Sequence, residues 1–298
     1  FIMQLLKPSL KFAKKDVADV YAYAKKNGFK GSQLMPWDFN YWSERYQEAE
    51  YSLNAEELKP YFQLESCIDA VFGLANTLYG ITFHELDNVP VYHEDVKVYE
   101  VKDKDGRHLS LFYADFFPRA SKRGGAWMTD FRGQSIRDGV EYRPFVSIVC
   151  NFTKPTADAP SLITHDEFTT FLHEFGHALH GILAEGRYPS LTGTSVSRDF
   201  VELPSQIMEN WAYEPEYLNS FAKHYQTGEP IPAELIEKIV AAKIYLAGYA
   251  QVRQLHFAYL DMAWHSRTSV PELGTIEFEQ SVLAPYNVMP AADGAAFS

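Results

Sequence analysis

Apolar positions recur at helical spacing over residues 9–27, with lysines on the opposite face and Gly28 closing the run after Pro8 opens it. The spacing predicts further helices over the aromatic stretch 37–51 and over 64–79, the latter ended by Gly80, with a short turn starting at Asn54 between them. From residue 81 the period changes to two. The runs 96–101 and 108–113 flank a turn through Asp103, Asp105 and Gly106 and read as a hairpin, and 125–131 and 144–152 read as two more strands. Helical spacing then returns at 165–184, where Phe168, Phe171, Leu172, Phe175, Leu179, Ile182 and Leu183 form a broad apolar surface. Thr164 and Glu167 make a capping box at its start, and Gly186 is placed to end it in a left-handed turn. A second helix is expected within 194–211, then helices over 215–225, over 232–265 with a bend near Gly248, and over 271–283. The pattern predicts a mainly α fold with a small antiparallel β-sheet, with 1–80 helical, 81–155 forming the sheet and 156–298 helical again.

A helix as apolar as 165–184 belongs in a core, so its polar residues need partners. His173 and His177 lie four apart, which puts both imidazoles on one face about one turn apart, close enough to share a metal ion. Glu174, beside the first, is placed to act as a base. Zinc needs a third protein ligand, and Glu202, twenty-five residues beyond His177 on the expected second helix, is the candidate. Two imidazoles and one carboxylate leave a coordination position open, as a catalytic site requires. A structural zinc takes four ligands, usually including cysteine, and Cys67 and Cys150 are remote in sequence. Glu209, seven residues past Glu202, is placed to accept an imidazole N–H. His180 is read as a packing residue. The alternative is that His173 and His177 are hydrogen-bonded core histidines and Glu202 faces solvent. Gly124, Gly125 and Ala126, with small side chains ahead of Trp127, suit main-chain pairing with an extended peptide; the competing reading is a glycine-rich bend with a buried Trp. The Asp103–Asp105–Gly106 turn lacks the spacing and terminal glutamate of a calcium loop and is assigned no calcium.

Composition narrows the class without choosing a substrate. A chain of 298 residues, 46% apolar and 15% aromatic, can bury a large core. Its net charge of −12 argues against a nucleic-acid or anionic-membrane surface. Two cysteines in apolar runs fit reduced thiols in a cytoplasmic protein better than a disulfide framework. No run approaches eighteen apolar residues, and the start at Phe1 is neither a signal peptide nor an initiation site, so a piece of a longer protein, monomeric and soluble, is expected.

The string HEFGHALH at 173–180, followed by GTSVSRDFVELPSQIMENW at 193–211, resembles the thimet oligopeptidase and neurolysin family of zinc metallopeptidases, most like its bacterial dipeptidyl carboxypeptidase branch. Residues 34–38, 91–93, 111–119, 123–128 and 150–152 resemble the same family's catalytic region, so the similarity covers essentially the whole chain. The resemblance implies a zincin-like catalytic domain truncated at both ends, one Zn2+ per chain on His173, His177 and Glu202, and Glu174 as general base. It also implies short peptides as substrates, with C-terminal dipeptides released. The alternatives are an endo-acting oligopeptidase, a zinc-holding but catalytically silent fragment, and metal-assisted hydrolysis of a non-peptide. The layout with a third histidine six residues past the second would need His at 183, where Leu183 stands. Family members carry a glycine- and tyrosine-rich loop that donates to the oxyanion; this chain has no Gly-Gly-Tyr cluster up to Ser298, and it lacks the helical part that roofs the family's channel, which implies a weakly active isolated chain.

Overall fold

The computed structural model describes residues 1–51 and 55–292, so Asn54 and the last residues of the chain lie outside the described residues. In chain order the elements are α1 (Ile2–Lys26), α2 (Pro36–Tyr51), α3 (Ala55–Leu58), α4 (Leu64–Tyr79), seven strands, α5 (His165–Ile182), α6 (Leu203–Glu209), α7 (Pro215–Phe221), α8 (Ala233–Ala242), α9 (Ala247–His265) and α10 (Thr275–Leu283). The strands are β1 (Thr82–Glu85), β2 (Lys97–Lys102), β3 (His108–Asp115), β4 (Trp127–Arg132), β5 (Ser135–Arg137), β6 (Val140–Tyr142) and β7 (Phe145–Val149). They fold as two compact units, Phe1–Leu53 with Glu237–Ser298, and Asn54–Ile236.

In the first unit α1 packs on α9 through Leu6, Ala13, Val252 and Leu255. A Cβ on Gly248 would lie 2.6 Å from the Phe12 Cβ and 2.7 Å from the Ala13 N, so glycine there serves close helix approach. Position 248 is therefore helical, and the expected bend falls earlier, between α8 and α9, where Leu246 has a left-handed φ of +51°. The α9 N-terminus is satisfied by Asp16, whose Oδ2 accepts the Tyr249 N–H at 2.8 Å. At the other end, α1 starts ahead of Pro8 rather than after it.

In the second unit five strands form one sheet in the order β1-β2-β3-β7-β4, and β5 pairs with β6 alone. Here the structure corrects the expectation of an antiparallel sheet: β3 and β7 run parallel, Leu111 opposite Phe145 through Asp115 opposite Val149, and the sheet is mixed. Tyr99, Phe112, Val146 and Ile148 are buried, and Phe72 of α4 stacks on Phe83 at 4.0 Å within reach of Phe112 and Phe175, so α4 and α5 cover that face. Val98 and Tyr113 form a separate buried cluster with Val96. Burying each such side chain contributes about 1.5–3 kcal/mol.

The α5 helix begins as its sequence demands. Thr164 Oγ1 accepts the Glu167 N–H at 3.1 Å and Glu167 Oε2 accepts the Thr164 N–H at 2.8 Å. Its end is different from expectation. Gly186 is not left-handed; the last carbonyls are met by buried Arg143, which donates to Ile182 O at 2.7 Å and to Ala184 O at 3.2 Å. Gly186 is needed instead because a Cβ there would collide with the Thr192 methyl.

Buried Asp115, at the end of β3, gathers a polar hub. It accepts from Arg119 at 2.9 and 3.0 Å, from Lys122 at 2.9 Å and from the Tyr92 hydroxyl at 3.0 Å. Burial alone pushes its carboxyl up, but the Arg119 and Lys122 bonds outweigh that and hold it below the usual range. Lys122 also donates to Phe117 O at 2.7 Å, fixing the chain that leads to β4.

Candidate active site

Helix α5 presents His173 and His177 with ring centroids 4.9 Å apart. Helix α6 crosses it at Gly176, where a Cβ would lie 2.6 Å from the Ser205 Cα and still nearer the Pro204 carbonyl oxygen. Only glycine permits that approach, and it delivers Glu202, at the N-terminal boundary of α6 and not inside a longer helix, to the imidazoles. Glu202 Oε2 lies 3.3 Å from His173 Nε2 and 3.1 Å from His177 Nε2, and Ser205 Oγ steadies it with a 2.9 Å hydrogen bond. One ligand atom from each of the three residues lies within 4.8 Å of the others, the one such group among the described residues.

His173 Nδ1 lies 2.7 Å from Glu209 Oε1. A carboxylate only accepts, so Nδ1 carries the proton, and in neutral His173 the Nε2 lone pair then faces the Glu202 oxygen. Three potential donor atoms converging this way can share one cation. Tetrahedral zinc, with ligands about 2.0–2.2 Å away, sets its donors roughly 3.4 Å apart, close to the two separations seen here. The donor set fits such an ion.

Glu174 follows His173 on α5, near enough to feel the charge of Glu202. It is buried, its Oε2 has no hydrogen-bond partner, and its pKa is raised, first by burial and then by the Glu202 charge, against the pull of His173 and the Met128 N–H. Burial pushes His177 down, and its Nδ1 has no partner. His180, a turn further on, is outside the cluster; its ring packs 6.1 Å from that of Phe200 and its pKa is lowered by burial.

Gly124, Gly125 and Ala126 form the bend that enters β4, with Gly125 at φ +92°, and Trp127 is half-buried under Arg123. β4 is the edge of the sheet, with residues 129–132 mostly exposed and Gly181 of α5 close to Met128 and Val146. Sequence reasoning missed the Met128 N–H, a backbone group that no side-chain pattern announces, and Ser205, whose three-residue offset from Glu202 was the available signal.

A paired-imidazole and carboxylate cluster beside a buried glutamate with one unpaired oxygen, at the edge of a sheet, is a donor set able to take a metal ion. The chain belongs to Peptidase family M3, whose model matches residues 1–297. It is 45% identical over 256 residues to the dipeptidyl carboxypeptidase of Salmonella typhimurium, covering 85% of this chain and 37% of that protein. Oligopeptidase A of Escherichia coli is 41% identical over 268 residues, with 89% and 39% covered, and a probable cytosolic oligopeptidase A of Arabidopsis thaliana is 42% identical over 287 residues, with 93% and 41% covered. The chain thus spans well under half the length of these relatives.

Proposed function

We propose that the chain carries the catalytic set for zinc-dependent hydrolysis of short oligopeptides, releasing dipeptides from the C-terminal end. The observation that carries this is the convergence of Glu202 Oε2 on the Nε2 atoms of both imidazoles, at 3.1 and 3.3 Å, spacings that suit ligands of one ion. His173, His177 and Glu202 would hold one Zn2+, which supplies Lewis acidity and makes water nucleophilic near neutral pH. Glu209 keeps His173 in the tautomer with Nε2 free. Glu174 takes the proton of the attacking water on its unpartnered Oε2 and passes it to the leaving amine; its raised pKa suits both halves of that exchange. An extended peptide pairs with the open edge of β4, placing its backbone beside Glu174.

Dipeptide release accords with the name of the Salmonella relative, a dipeptidyl carboxypeptidase, and an endo-acting oligopeptidase is the alternative. Quenched peptides blocked or free at the C-terminus separate the two, since an enzyme that releases C-terminal dipeptides needs the free carboxylate. Hydrolysis abolished by a chelator and restored by zinc supports the reading. Zinc bound in one-to-one ratio with no hydrolysis by this chain or by a longer form leaves a zinc-holding module and defeats it. Two buried, unpaired cysteines support a cytoplasmic location, and among the described residues no helix is long and apolar enough to cross a membrane.

A further inference from the structure

The two faces of a strand's backbone alternate: one residue turns its N–H and C=O to one neighbour, and the next residue turns them to the other. In β4, Trp127 stands opposite Val149 and Met128 opposite Ile148 of β7. The Gly125 carbonyl turns to Asn151, just past the end of β7, so Ala126 and, two residues on, Met128 direct their backbone groups to the open edge. Which residues face outward is a matter of phase. A slip of one position would turn them inward.

The phase is set before the strand begins. The Asn151 carboxamide donates to two carbonyl oxygens of the bend, Arg123 O at 3.0 Å and Gly125 O at 2.7 Å, using both of its hydrogens. Its chain neighbours grip the far end of the same connection: the Cys150 N–H donates to Asp115 O and the Phe152 N–H to Phe116 O, both at 2.8 Å. Gly125 is left-handed, and a Cβ there would meet nothing within 4 Å, so the backbone angle is what demands glycine. With the Gly125 carbonyl turned to Asn151, the trans peptide aims the Ala126 N–H the opposite way, in phase with Met128.

We propose that Asn151 is a positioning residue for substrate: its carboxamide fixes the Gly124–Gly125 bend so that Ala126 and Met128 offer their backbone groups along the open edge to an extended peptide beside Glu174. The ligand in this proposal rests on the peptidase reading; the hold of Asn151 on β4 does not.

Asn151→Ala removes both donors, and Asn151→Asp keeps the shape while setting a negative charge against two carbonyl oxygens. Two readouts apply. In hydrogen exchange, the segment 124–130 of Asn151→Ala should exchange roughly tenfold faster, the order expected for two lost neutral hydrogen bonds, while α5 keeps its protection and zinc content is unchanged. Asn151→Asp should exceed Asn151→Ala. In hydrolysis of an extended peptide, KM should rise by about the same factor with kcat within roughly threefold, the signature of lost positioning spread over ground and transition states. Unchanged exchange in 124–130, acceleration shared equally by α5, or a weaker effect from Asp than from Ala overturns the proposal. If wild type hydrolyses no peptide in any form, the peptidase reading fails, and exchange alone decides whether Asn151 holds β4.

Discussion

Replacing Glu209 by Ala tests the least exposed step in the reasoning about the metal, the tautomer of His173. The carboxylate lies 2.7 Å from His173 Nδ1, and it orients the ring whose Nε2 faces Glu202. Carboxylate partners of ligating imidazoles typically contribute about 10–100-fold in metal affinity, or roughly 1.4–2.8 kcal/mol. Glu209 is 35% exposed and His173 25%, so solvent screening places the expected loss toward the lower end, about 10–30-fold. Glu209→Gln keeps an acceptor without the charge and, because charge-assisted bonds are about twice as strong as neutral ones, should lose only about 3–5-fold. His177 provides an internal contrast, since its Nδ1 has no protein partner. The assay is zinc competition against a chromophoric chelator at fixed pH and salt, with circular dichroism confirming that each variant is folded. Zinc affinity in the Ala variant within twofold of wild type, or a Gln variant weaker than Ala, would refute the assignment of Nδ1–H to Glu209 as what readies Nε2 for metal.

Glu174→Gln should leave zinc content unchanged and lower turnover by about 10²–10⁴, measured in whichever length of the protein hydrolyses peptides; retained turnover would move the base elsewhere. Gly176→Ala should push α6 off α5, since its Cβ meets the Pro204 and Ser205 backbone, costing about 1–3 kcal/mol by denaturant unfolding and weakening zinc binding together. Asp115→Asn leaves Lys122, whose side chain is 2% exposed, without its counter-ion and should cost about 3–5 kcal/mol, read as a lowered Tm. Because the Asp115 pKa is lowered on folding, its contribution should be complete above a pH of about 4 and disappear as pH falls further, so the gap in stability between wild type and variant should narrow in acid.

Local rules carried most of the fold. The Thr164–Glu167 box marked the start of α5, and Gly80, left-handed at φ +69°, ended α4 as placed. The β5–β6 hairpin was also legible: Asp138 and Gly139, both at positive φ, are the Asp-Gly turn of a two-residue hairpin, and the pair went unread. The parallel pairing of β3 with β7 was not readable in this way. Its strands are separated by β4, β5 and β6, and periodicity says which residues face the helices without saying which strand lies beside which. The ends of α5 and α9 depended on Arg143 and Asp16, residues distant in sequence that supply what a local cap would otherwise supply.

The same division runs through the site. Four-residue spacing is enough to bring two imidazoles together because the helix supplies the geometry, and seven-residue spacing suggested that Glu202 and Glu209 share one face of a helix. In the structure α6 starts only at Leu203, so Glu202 reaches the imidazoles from the helix boundary while Glu209, the last residue of α6, reaches the far side of His173. Two carboxylates at opposite ends of one short helix thus address the two nitrogens of a single ring, and the crossing at Gly176 decides whether either arrives. That makes the glycine between the histidines as necessary to the proposed metal site as its candidate ligands, although no ligand pattern includes it: a methyl group there displaces Glu202 and Glu209 together, whereas Glu202→Ala or Glu209→Ala removes one contact and leaves the other. Zinc affinity in Gly176→Ala should therefore fall at least as far as in Glu209→Ala, and an intact affinity would show that α6 is held in place by contacts other than its approach to α5.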